Sequence, residues 1–62
     1  MAYFEVKFET DNAAFDKDSG DGPAEIARVL QRVARAVLAG EGHGRCMDTN
    51  GNRVGEWEHS GD

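Results

Sequence analysis

The sequence holds one cysteine, Cys46, one proline, Pro23, and one tryptophan, Trp57. A lone cysteine cannot close an internal disulfide, so the covalent staples that support many very small folds are excluded. No apolar run approaches the roughly 20 residues of a membrane span. None long enough for a secretory leader follows Met1, which predicts a cytoplasmic protein. Positive charge is scarce as well: 7 basic residues face 12 acidic ones, for a net charge of −5. A phosphate backbone would be repelled by most of such a surface, so direct nucleic-acid binding is disfavoured. With 62 residues the chain has room for a single domain over 1–62, since so short a chain buries only about 60% of its extended surface on folding. A substrate pocket with a rigid catalytic shell needs more scaffold, and the expectation is a protein that is no enzyme and carries no cofactor. At 39% hydrophobic and 31% charged, the chain is nonetheless too apolar for a disordered tail.

What is present is strongly patterned. Residues 1–10 place Ala2, Phe4, Val6 and Phe8 on one side and Tyr3, Glu5, Lys7 and Glu9 on the other, the period of a half-buried strand. Residues 11–22, DNAAFDKDSGDG, are rich in turn formers and predict a loop. Within it, Ala13 and Ala14 can form a short helical turn that lets Phe15 pin the loop to the core. A helix is predicted over 23–39: Pro23 suits the first helical position behind Asp21 or Gly22. Ile26, Val29, Leu30, Val33, Val37 and Leu38 recur at helical spacing with Ala34, and Gly40 ends the run. Glu25 falls in the first turn, where the helix dipole favours negative charge.

Residues 44–59 read as a β-hairpin around Asn50-Gly51. A two-residue turn would set Cys46 against Gly55 and Met47 against Val54. A three-residue loop, Thr49-Asn50-Gly51 with Gly51 left-handed, sets Cys46 against Val54 and pairs Asp48 with Asn52. The second is preferred, because it joins two buried-type residues and lets Asp48 and Asn52 hydrogen-bond across the turn. Val54 and Trp57 are three apart, so either a bulge at Gly55 brings them to one face or Trp57 covers the outer side of the sheet.

The order strand, helix, strand, strand predicts an α+β domain with one helix packed on one face of a three-stranded sheet. The first strand can pair parallel with the second through a right-handed crossover, but a wholly antiparallel sheet with the last strand, which carries Val54 and Trp57, in the middle is preferred. The expected core is Phe4, Val6, Phe8, Ile26, Val29, Leu30, Val33, Val37, Leu38 and Val54. Dimerisation through the exposed sheet face or edge would add buried area to so small a fold.

Motifs for chemistry are weak. Asp16, Asp18 and Asp21 resemble a calcium loop in composition, but Asp21 stands where such a loop needs glycine. His43 and Cys46 form an H-x-x-C half-site with no matching ligands, and His59 stands apart, so no metal is expected. Ser19 and Ser60 lie among turn formers, without a base and orienting acid.

Two surfaces remain. Glu5, Glu9, Asp16, Asp18, Asp21, Glu56 and Glu58, with Asp11, make an acidic field that can steer and hold a partner with a basic surface. Trp57 and Tyr3 are candidate aromatic anchors within it. Segment charges are −4 over 1–22, +2 over 23–39 and −3 over 40–62. The alternative contact is therefore a nucleic acid lying along Arg28, Arg32 and Arg35 of the helix. For either surface the plain reading is a solvated, solubilising face.

The segment GRCMDTNGNRVGEWEH, preceded by IARVLQRVARAVLAGEG, resembles a group of very small proteins encoded by phages, prophages and other mobile elements. The likeness spans residues 23–59 and rests on Asp48, Asn50, Gly51, Asn52, Val54, Gly55 and Trp57, mostly hairpin-forming positions. In size, acidity and lack of a pocket the chain is similar to anti-CRISPR proteins. That resemblance implies a bacterial host cell and a DNA-mimicking inhibitor that blocks target-DNA binding by a type I CRISPR effector complex. A mobile-element regulator contacting DNA through the helix arginines, or a structural accessory protein, is the alternative. No residue role carries over from the group.

Overall fold

A computed structural model describes residues 2–16 and 22–61. Strand β1 covers Tyr3–Phe8, helix α1 Gly22–Leu38, strand β2 His43–Met47 and strand β3 Arg53–Ser60, with a 3-10 turn over Ala13–Phe15 between β1 and α1. The sheet is antiparallel throughout, in the order β1-β3-β2. This is the single small α+β arrangement that the hydrophobic periods predict, with the last strand central.

Local chemistry explains where each element begins and ends. The 3-10 turn is capped by Asn12, whose Oδ1 accepts the Ala14 N–H at 2.9 Å, and it delivers Phe15 to the core at 5% exposure. Helix α1 ends in paired reverse bonds, Gly40 N–H to Val37 O and Glu41 N–H to Ala36 O, with Gly40 at φ 92°. That combination is the Schellman motif. The capping role expected of Asp21 falls outside the described residues.

The hairpin combines features of both registers. Asp48 pairs with Asn52 through its backbone N–H at 2.9 Å and Gly51 has φ 84°, as the three-residue loop requires. Cys46, however, faces Gly55 rather than Val54, and Met47 faces Arg53. Val54 is the extra residue of a bulge, which turns it inward to pack beside the core along with Trp57. Gly55 lies so close to β1 that a Cβ there would stand 2.0 Å from the Lys7 carbonyl oxygen; only glycine fits.

The core differs from the expected set. Its buried apolar residues are Phe15, Val29, Val33, Cys46 and Trp57, with Val6, Phe8, Ala14, Ala36, Val37 and Val54 packed around them. Phe4 is 48% exposed, Ile26 36%, Leu30 43% and Leu38 88%, so these four expected core residues are not buried. The reason is width. One helix is about 10 Å across, whereas three strands about 4.8 Å apart present a wider face. Helix α1 sits chiefly over β2 and the 3-10 turn, turns Glu25, Val29 and Val33 inward, and leaves the inner side of β1 partly uncovered.

Candidate interaction surface

The strand registers sort the candidate side chains by face, because cross-strand partners share a face and neighbours alternate. Phe4, Val6 and Phe8 lie opposite His59, Trp57 and Gly55 on the inner face. Trp57 is 3% exposed, with its indole over Gly44, where a Cβ would come within 2.6 Å of Nε1. The expectation that Trp57 anchors a surface contact is therefore corrected: its place opposite Val6 turns it into the core.

The outer face carries two charged rows. In one, Lys7, Glu56 and Arg45 lie side by side across the three strands, and Arg53 Nη2 reaches Glu56 Oε2 at 2.6 Å. In this row three basic side chains outweigh one acidic one, so Glu56 does not extend an acidic field. In the other, Glu5 stands directly opposite Glu58, with His43 beyond it on β2. Tyr3 flanks this pair, and its hydroxyl is held above the usual phenol range by the Glu58 charge, then by a hydrogen bond to Glu58. Glu9, Asp11 and Asp16 are exposed along the chain that follows β1. Asp18 and Asp21 lie outside the described residues. The structure thus brings Glu5, Glu56 and Glu58 onto one face of the sheet, and on that face the unbalanced negative charge sits at the Tyr3, Glu5 and Glu58 corner.

The arginine stripe is exposed but not uniform. Arg28 Nη1 pairs with Glu25 Oε1, so its charge is partly committed within the fold. Arg32 and Arg35 are exposed on the same side of α1 and make no ion pair among the described residues.

The sequence predicts the hydrogen bonding of Asp48 with Asn52 across the turn, which is present, but not the buried polar knot around it. Glu25 is 1% exposed and Asp48 2%. The Glu25 Oε2 atom accepts the Thr49 N–H at 2.6 Å. Asp48 Oδ1 accepts the N–H groups of Asn50 at 2.9 Å and Asn52 at 2.8 Å. Its Oδ2 accepts Asn12 Nδ2 at 2.8 Å and Asn52 Nδ2 at 3.2 Å. Burial works to raise the Asp48 pKa, but the hydrogen bonds from Asn52, Asn12 and Asn50 outweigh it and hold the carboxyl below the usual aspartate range. The knot ties the start of α1, the loop before it and the hairpin tip together. It accounts for Asp48, Asn50 and Asn52 of the DTNGN segment by structure alone. The spacing of a buried acid 24 residues from its partner leaves no local trace that sequence reading could use.

Among the described residues, no three His, Cys, Asp or Glu side chains gather closely enough to hold a metal ion, and no helix is long and apolar enough to cross a membrane. Comparison with family models, with curated proteins and with solved structures finds no match to this chain.

Proposed function

We propose that this chain is a non-catalytic binding protein that docks the outer corner formed by Tyr3, Glu5 and Glu58 on a basic, nucleic-acid-binding surface of a host protein complex and blocks it. In the form suggested by the resemblance to small phage proteins, it is an anti-CRISPR acting on a type I effector complex. The observation that carries the reading is the cross-strand pair Glu5 and Glu58. Like charges directly opposite one another disfavour a free sheet, and an arginine or lysine inserted between them removes that cost on binding. The aromatic ring of Tyr3, 48% exposed beside the pair, supplies apolar contact area of the kind that anchors interfaces.

The test is capture on the immobilised full chain from lysate of a bacterium that carries such a complex, followed by competition with duplex DNA. A retained nucleic-acid-binding complex that DNA displaces, and that Glu5→Lys with Glu58→Lys no longer retains, is the expected result. Rising salt should slow association. If Arg32→Glu with Arg35→Glu abolishes binding instead, and the free protein retards a DNA duplex in a gel, the reading is overturned in favour of the arginine stripe.

A further inference from the structure

Helix α1 carries more apolar surface than its own sheet covers. At about 100° per residue, the uncharged side chains from Ala36 through Val29, Val33, Ile26, Val37, Leu30 and Ala34 to Leu38 sweep roughly 200° of arc, about twice the stripe a one-sided helix needs. The four charged residues of α1, Glu25, Arg28, Arg32 and Arg35, all fall outside that arc. Val29 and Val33 are buried against the sheet. Ala36 and Val37 are half-buried against the core, and the rest forms a row at positions i, i+4, i+8 and i+12, Ile26, Leu30, Ala34 and Leu38, all of it exposed. Beside the row runs a groove of about 480 Å³ lined by Phe4 and Val6 of β1 and by Leu30, Ala34, Val37 and Leu38 of α1.

We propose that this face is the interface of a symmetric homodimer, in which the Ile26, Leu30, Ala34 and Leu38 row of each copy packs across the same row and into the Phe4 groove of the other. Three observations point to a second copy as the occupant. A row spaced by four is self-complementary, because such ridges interdigitate with their own kind in the commonest class of helix packing, and a two-fold interface requires one patch to fit itself. The patch contains no charged residue, so two chains each bearing −5 can meet there without opposing like charges, while the arginines stay on the far side. The exposed area is also large for a chain of this size. The chain exposes 4600 Å², roughly 650 Å² more than a folded chain of its mass usually shows. That excess approaches the roughly 800 Å² per partner of a standard interface.

Sedimentation equilibrium on the full chain tests the proposal. The expected mass is twice 6.8 kDa, with association strengthened by salt, because screening relieves the mutual repulsion of two acidic chains. This is opposite to the salt effect expected for docking on a basic partner, so the two readings fail separately. Ala34→Glu with Leu38→Glu should weaken the dimer by about a hundredfold or more, since each charge would be buried unpaired, while circular dichroism stays unchanged. Should the double variant lose its dichroism, Leu38→Glu alone, at a position 88% exposed, carries the same test. Glu5→Lys with Glu58→Lys on the opposite face should leave the dimer intact. A monomer up to millimolar concentration overturns the proposal, as does a dimer that survives the helix charges or one that only the outer-face variant dissociates.

Discussion

The Glu25 carboxylate, set in the first turn of α1, accepts the backbone N–H of Thr49 at 2.6 Å across 24 positions of sequence. Helix start and hairpin tip are thereby locked by one buried group. Glu25→Ala should destabilise the fold by about 2 to 3 kcal/mol, because the Thr49 N–H loses a charged acceptor and Arg28 its partner. Glu25→Gln, whose amide oxygen can still accept from Thr49, should cost less. Urea unfolding followed by Trp57 fluorescence measures both, and equal losses for the two variants would count against the bond.

Asp48 should make the fold acid-sensitive. Its folded pKa lies below the ordinary aspartate value, so the ionised form contributes stability that is fully present above about pH 4 and is lost as pH falls through the depressed folded value. Thermal unfolding between neutral pH and strongly acidic solution should show that decline. In Asp48→Asn the decline should be shallower and the starting stability lower.

Gly55→Ala should cost about 3 kcal/mol, at the upper end of overpacking, because its Cβ would meet the backbone of Lys7 and Phe8 at 2.0 and 2.5 Å. The clash falls on backbone, which cannot swing aside. Backbone amide exchange should show the bonds between β1 and β3 opening first.

Cys46 is 1% exposed, and burial, then the Glu56 charge, pushes its thiol up from the ordinary value. Reaction with an aromatic disulfide reagent should therefore proceed at the rate of unfolding rather than that of a free thiol. A raised pKa favours the protonated folded state, so this contribution to stability is present below about pH 8.5 and is lost as pH climbs through the folded value. Cys46→Ala should remove that part of the alkaline slope.

Glu5→Lys should stabilise the free protein by about 0.2 to 1 kcal/mol, by turning the pair with Glu58 into opposite charges, while it weakens capture of the proposed basic partner. A gain in melting temperature together with lost binding would separate the partner reading from mere destabilisation.

The sequence by itself determined the elements and their order. Alternation in residues 1–10, the three-and-four spacing from Ile26 to Leu38, Gly40 as a stop and Asn50-Gly51 as a turn each follow from local sterics and one-dimensional periodicity, which need no knowledge of the rest of the chain. The β1-β3-β2 order is the preferred of two topologies, since it lets every strand pair antiparallel, and the fold adopts it. Tertiary structure alone decided which part of the wide apolar arc of α1 is covered. That depends on how far one helix reaches across three strands, and the answer left Ile26, Leu30 and Leu38 outside while drawing Glu25 in. It also decided the candidate surface. Glu56 and Glu58 are near neighbours in sequence and Glu5 lies at the other end of the chain, but register sets Glu56 between Lys7 and Arg45 and sets Glu5 against Glu58, and its place opposite Val6 and Gly44 puts Trp57 on the inner face. Charge balance and burial on a sheet depend on which residues lie opposite, and pairing between distant strands is a property of the assembled fold.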